Sequence, residues 1–156
     1  MRVAFGSDHA GFSLKEILKT ELVQRGHEVI DLGTFGADLS ADYPDFGAAV
    51  GRAVAAGEAD LGVCTCASGN GIAMAANKVP GVRAAVLHDV TTATLARAHN
   101  HANVVCLGSR VTGSIVAVDA VVAFLATVEE GGRHEGRIAK LADLDRPLVH
   151  NSEGTP

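Results

Sequence analysis

The chain has 156 residues, 47% hydrophobic and 20% charged, enough for one globular domain burying roughly two thirds of its unfolded surface. Mean hydropathy of +0.22 excludes a disordered chain. A net charge of −5 repels nucleic acid, and 4% aromatic content without Trp leaves no platform for stacking bases.

Arg2 to Gly6 reads as a short strand ending in Ser7-Asp8-His9-Ala10-Gly11. Phe12, Leu14, Ile17, Leu18, Leu22 and Val23 then recur at helical spacing until Gly26 stops the helix. His27 to Gly33 is the second strand, and residues 34–42, with Gly, Asp and Ser, are a loop. Tyr43-Pro44-Asp45 opens an Ala-rich helix running to about Ala56, with Pro44 suited to its first turn. Leu61 to Thr65 reads as a strand buried on both faces, followed by Cys66-Ala67-Ser68-Gly69-Asn70-Gly71 and a helix through Ala76. Val82 to Leu87 is the fourth strand, 90–98 a helix, Asn103 to Gly108 the fifth strand, 113–126 an amphipathic helix and 134–144 the last helix. No apolar run reaches the ~18 residues that crossing a membrane needs.

Strands alternating with helices at this spacing predict an α/β fold: an open parallel sheet of five strands, helices on both faces and right-handed crossovers. The expected domain spans residues 1–146; the polar segment 147–156, with its turn formers, reads by composition as a disordered C-terminal tail, though one expected to dock on something. Ligands of such sheets bind beyond the carboxyl ends of the strands, here Ser7-Asp8-His9, Cys66 to Gly71, His88-Asp89 and Gly108-Ser109-Arg110. His99-Asn100 precedes the fifth strand and so belongs at the opposite end, unless a neighbouring chain brings it over.

Met1 leads straight into Arg2-Val3-Ala4-Phe5, too short for a signal-peptide core. The three cysteines, Cys64, Cys66 and Cys106, are an odd number, which favours free thiols in a reducing compartment and an expected cytoplasmic location. Cys64-Thr65-Cys66 is not a C-x-x-C redox motif, and nothing has zinc spacing, so no metal is expected.

Cys66 to Gly71 is the most informative stretch. Its small residues let backbone N–H groups approach a ligand at a helix start, where a thiol pKa should fall below about 8.5; alternatively, it is a tight turn around a buried, inert Cys66. It lacks the Lys-Ser/Thr of a P-loop. Asp8-His9 either polarises a sugar hydroxyl and contacts an anion, or leaves Asp8 capping a helix that starts near Ala10. His99-Asn100-His101 suits proton transfer beside a positioning amide, or is a polar loop. Cys64 and Cys106 sit in apolar strands as packing residues. Arg133 and Arg137, four apart, form a phosphate clamp on one helical face or a solvated face countered by Glu129, Glu130 and Glu135.

Taken together, these segments resemble the ribose-5-phosphate isomerase B family, which includes the galactose-6-phosphate isomerase subunits. They are Gly6-Ser7-Asp8-His9-Ala10-Gly11, Asp42 to Phe46, Cys66 to Ile72, Ala75 to Lys78, Gly81 to Ala84, His99 to Asn103, Gly108-Ser109-Arg110 and Gly131 to His134. The resemblance runs from residue 1 to about 145.

It implies a Rossmann-like αβα sandwich working as a homodimer or dimer of dimers with sites at the interface, without cofactor, nucleic acid or membrane. By the same resemblance, Cys66 is the base moving a proton between C2 and C1 through a cis-enediolate. His99 opens the sugar ring, assisted by Asp8. Ala67, Ser68, Gly69, Asn70 and Gly71 hold the developing oxyanion with N–H groups and the Ser68 hydroxyl. Asn100 binds sugar oxygens, and His9, Arg110, Arg133 and Arg137 bind phosphate. One branch of the family carries a carboxylate base after the second loop glycine. Here that position is Ile72, which points to the cysteine branch. The implied substrate is ribose 5-phosphate, with erythrulose 4-phosphate, allose 6-phosphate or galactose 6-phosphate as alternatives. A non-catalytic partner subunit on the same fold is the reading from another class.

Overall fold

The computed structural model describes residues 1–145, and the tail expected over 147–156 lies outside them. In chain order the elements are β1 (Arg2–Ser7), α1 (Phe12–Gln24), β2 (Glu28–Asp31), α2 (Tyr43–Ala55), β3 (Leu61–Cys66), α3 (Asn70–Ala76), β4 (Ala84–Val86), α4 (Val90–Asn100), β5 (Val104–Gly108), α5 (Ser114–Ala126), a 3-10 turn (Gly132–His134) and α6 (Glu135–Asp143). All strand pairs are parallel, in the order β2-β1-β3-β5-β4.

Side chains alternate across each strand, so each strand feeds two cores. Val3, Phe5, Leu61, Val63, Val105 and Leu107 face α1, α4 and α5 and pack on Leu14, Leu18, Leu22, Ala96, Val121 and Phe124. Ala4, Cys64, Cys66, Val104 and Cys106 face α2 and α3, beneath Val50, Ala53, Ile72 and Ala76. Small residues on that second side bring α2 close. A Cβ on Gly62 would stand 2.5 Å from the Val50 side chain, and one on Gly47 2.6 Å from the Ile72 carbonyl oxygen. Burial pushes the Cys106 thiol well up, and neighbouring Cys64 and Cys66 add to it, in keeping with a packing role.

Three elements differ from expectation. The fourth strand shrinks to Ala84–Val86 at the edge of the sheet, because the side chain of Asn103 takes the N–H of Arg83 at 2.8 Å and reaches the Gly81 carbonyl at 2.8 Å. The second strand keeps only Glu28–Asp31. The last helix begins at Glu135, after a 3-10 turn whose Gly132 takes φ +66°, so Arg133 stands outside it.

One wholly buried cation secures the loop beside the site. Lys15 on α1 donates to Asp31 Oδ1 at 2.7 Å and to the Thr34 carbonyl at 2.7 Å, and Lys19 donates to the same carboxylate. Burial alone would push the Asp31 carboxyl up. The bonds from Lys15, Lys19 and the Gly33 N–H outweigh it and hold the group below its usual range.

Candidate active site

The strand order turns back between β1 and β3, and ligands of such sheets bind beyond the carboxyl ends of the strands at that reversal. Cys66 is the last residue of β3, 4% exposed, and the Gly69 N–H donates to its Sγ at 3.1 Å. The sharp turn needs Gly69 at φ +84°, where a side chain would be strained. Ser68 Oγ accepts the Asn70 N–H at 3.3 Å. Thus the N–H groups of Gly69 and Asn70, two of those expected to hold an oxyanion, already bind the cysteine and the serine.

Neighbouring strand ends lock this turn in place. The Ser109 and Arg110 N–H groups donate to the carbonyls of Cys66 and Ala67 at 2.9 and 3.1 Å. Ser109 Oγ reaches across to the Ala10 carbonyl at 2.7 Å, and Thr65 Oγ1 donates to the Gly11 carbonyl at 2.9 Å. Backbone passes so close that a Cβ on Gly108 would stand 2.6 Å from the Ser68 carbonyl carbon. Gly71 lies beneath the Tyr43 ring, 2.8 Å from where its Cβ would be.

Asp8 is buried, and its Oδ1 accepts the Gly11 N–H at 2.8 Å. It therefore closes the turn into α1, which begins at Phe12 rather than Ala10, and this bond fixes the carboxylate beside β3. His9 is exposed and its Nδ1 accepts the Ala41 N–H at 3.2 Å, tying the 34–42 loop to the site. The Arg110 side chain is exposed and makes no ion pair among the described residues.

The remaining expected residues lie elsewhere. In the β3–β5 register Cys66 pairs with Gly108, whereas Val104, four residues earlier, pairs with Gly62. His99 and Asn100 end α4 just before Val104, so about 13 Å of strand separates their end of the sheet from the cysteine. There the His99 ring stacks on that of His134, centroids 4.4 Å apart and planes 7° apart. Glu130 Oε2 stands 3.5 Å from His99 Nε2 and 3.8 Å from His134 Nε2, and Arg133 Nε donates to His134 Nε2 at 3.3 Å. Burial, His99, Arg133 and Arg137 together keep the His134 imidazole below its ordinary value and neutral near pH 7. Asn100 is exposed and lines a cavity of about 420 Å³ with Asn77, Arg83, Ala84 and Leu141.

The arginine pair differs from expectation. Because Arg133 is in the 3-10 turn and Arg137 in α6, they do not share one α-helical face. Nor do the acidic neighbours neutralise them: Glu129 pairs with Arg97 at 2.6 Å and Glu130 faces the two histidines. His134 and Glu130 are absent from the expected site. The Gly131–His134 motif is the sequence signal for His134, and Glu130 carries none beyond that of a counter-ion.

His99, Glu130 and His134 bring donor atoms within 4.8 Å of one another, a cluster able to hold a metal ion. The Arg133 guanidinium on the His134 lone pair, with Arg137 nearby, opposes a cation with fixed positive charge. The ensemble suits an anion better.

The family model described as Ribose/Galactose Isomerase matches residues 3–141. The chain belongs to that family. Among its relatives, ribose-5-phosphate isomerase B of Escherichia coli is 44% identical, with 93% of this chain and 97% of the relative covered. The Mycolicibacterium paratuberculosis protein of the same name is also 44% identical, over 100% of this chain and 98% of the relative. Among solved structures of the family, Clostridium thermocellum ribose-5-phosphate isomerase B superposes with a TM-score of 0.91 at 47% identity, covering 93% of this chain and 97% of that one. The Mycoplasma genitalium enzyme with bound ribulose-5-phosphate superposes with a TM-score of 0.88 at 41% identity, over 92% and 95% of the two chains. Among the described residues no helix is long and apolar enough to cross a membrane.

Proposed function

We propose that the protein is an aldose–ketose isomerase interconverting ribose 5-phosphate and ribulose 5-phosphate, in a homodimer or dimer of dimers whose sites each draw on two chains. The observation that carries this reading is the division of the family's residues between two ends of one sheet. Cys66, Asp8 and the 67–71 turn lie at one end and His99, Asn100, Arg133 and Arg137 at the other. A symmetric pair of chains can lay the second cluster of one copy over the first cluster of the other, twice.

The cyclic sugar opens first. His99, assisted by Asp8, takes the O1 proton and returns a proton to the ring oxygen O4 as the C1–O4 bond breaks and C1=O1 forms. The Cys66 thiolate then removes the C2 proton, leaving a cis-enediolate whose oxygens are met by the Ser68 hydroxyl and by N–H groups of the 67–71 turn, those of Gly69 and Asn70 exchanging Cys66 Sγ and Ser68 Oγ for the sugar oxygens. The O2 proton passes to O1, the Cys66 thiol returns its proton to C1, and C2=O2 forms as the ketone. Asn100 holds sugar hydroxyls, while His9, Arg110, Arg133 and Arg137 bind the phosphate, Arg as a bidentate partner. Abstracting a proton alpha to a carbonyl needs one base and an oxyanion site, and residues 66–71 supply both kinds of group. The three free thiols fit a reducing compartment such as the cytoplasm.

To test this, the purified protein is assayed in EDTA with ribose 5-phosphate, allose 6-phosphate and erythrulose 4-phosphate in separate reactions. Highest kcat/KM on the pentose is expected. Preference for another sugar keeps the chemistry and changes the substrate, and no turnover of any would leave the non-catalytic partner reading in its place.

A further inference from the structure

Glu130 has no assigned part in this reaction, yet its place is tightly set. The segment carrying it runs along the end of α4 and is bonded there on both sides. The Glu130 N–H donates to the Ala98 carbonyl at 2.9 Å. His101, at the left-handed end of the helix with φ 49°, meets the Glu130 carbonyl through Nε2 at 2.7 Å. Next door, Arg97 donates to Glu129 Oε1 at 2.6 Å, with His101 Nδ1 at 3.6 Å from Glu129 Oε2. An exposed glutamate on a loop usually wanders, but here the backbone on either side is pinned.

The carboxylate so positioned stands at the Nε2 edge of two stacked imidazoles that are not equivalent. His134 Nε2 accepts from Arg133 Nε, so it carries no hydrogen to give Glu130. His99 Nε2 is the closer of the two, at 3.5 Å against 3.8 Å, and no other carboxylate forms an ion pair with it among the described residues. His134 also closes one face of the His99 ring, leaving the ring little freedom to turn.

We infer that Glu130 is the positioning residue for His99: through its carboxylate it fixes the imidazole and meets the positive charge His99 acquires on taking the sugar O1 proton. This rests on the ring-opening role given to His99 above. The logic is that of an acid–histidine pair in which the carboxylate orients the ring and stabilises the imidazolium without taking the proton itself. Glu130 would then serve ring opening and not the carbon-to-carbon proton transfer, which belongs to Cys66.

The two steps can be read separately. Ribulose 5-phosphate has no free hydroxyl able to close a five-membered ring, so exchange of its C1 hydrogen with deuterium from D2O reports the enediolate step alone. Turnover of ribose 5-phosphate requires ring opening as well. In Glu130→Gln, kcat on ribose 5-phosphate is expected to fall roughly ten- to a hundred-fold with KM nearly unchanged. Deuterium wash-in should stay within about threefold of the parent, and Glu130→Asp should regain part of the lost turnover. The thermal midpoint of both variants, followed alongside, should match the parent because the side chain is exposed. Equal losses in turnover and wash-in, or no loss in either, overturn the inference. A parent protein that washes deuterium into ribulose 5-phosphate but turns over ribose 5-phosphate without any histidine requirement in His99→Ala sinks the ring-opening reading itself, and Glu130's part with it.

Discussion

The two ends of the sheet are built by different means. Around Cys66 the structure is almost all backbone: carbonyls and N–H groups of β1, β3 and β5 bond to one another, and glycines let chains pass at distances no Cβ tolerates. Around His99 it is side chains, two imidazoles, a carboxylate and two guanidiniums on helix ends and a 3-10 turn. Cys66, proposed as the base, has to be held against a carbon to within fractions of an ångström, which rigid strand ends provide. Arg133 and Arg137, proposed to bind phosphate, need charge and reach, which long side chains on exposed elements provide. The contrast is one of backbone placement against side-chain charge.

The sharpest way to break this picture is Cys66→Ala, expected to lower kcat by at least about 10³-fold while oligomer size in gel filtration is kept. Near-normal turnover would show the backbone end holding nothing that reacts. Mixing two inactive variants probes the division itself. With Cys66→Ala and His99→Ala chains at equal amounts, random pairing gives half mixed dimers with one intact site each, hence roughly a quarter of parental activity. No recovery after subunit exchange would mean that each chain keeps its own complete site.

Glycine substitutions compare the packing of the two ends directly. Gly108→Ala drives a Cβ to 2.6 Å from the Ser68 carbonyl carbon and 2.7 Å from its oxygen, and should cost about 1–3 kcal/mol together with most of the activity. At the other end Gly136 lies in α6 with open space where a Cβ would go, and Gly136→Ala should add about 0.5–1 kcal/mol. Denaturant midpoints give both values, and equal signs would erase the contrast.

The smallest effect concerns pH. His134 is held below its ordinary value of 6.5 in the fold by burial first, then by His99 and Arg133. A depressed histidine means that the unfolded chain takes up the proton more readily, so stability falls as pH drops through about 6.5 and below. His134→Gln should flatten the decline in thermal midpoint between pH 7 and pH 5.5, and an unchanged slope would assign that loss to other groups. His27, pushed down by burial and by the N-terminus and Arg25, adds a decline that this variant leaves in place.

Periodicity alone set out the alternation of strands and helices and the two-sided cores, because Val3, Phe5, Leu61, Val63, Val105 and Leu107 obey the strand period without exception. It overestimated β4, since apolar character continues through Val82 while the Asn103 side chain, remote in sequence, takes over the hydrogen bonding. The turn that carries Cys66 was legible because glycines and a cysteine at a strand end are a local pattern. The order of β5 and β4 was not, nor was the His99–Glu130–His134 group, whose members come together from three separate elements. Local chemistry is written locally; contacts between charged side chains on different helix ends are not.

The four-residue offset between Cys66 and Val104 in the β3–β5 register has an effect on behaviour in dilute solution. With Cys66 and His99 at opposite ends, the proposed reaction is a property of the pair and not of the chain. Below the concentration at which pairs come apart, turnover per chain would fall in proportion to the amount present, and total flux with its square. Freshly made chains would stay silent until each met another, and loss of half the molecules from a dilute pool would remove three quarters of the work.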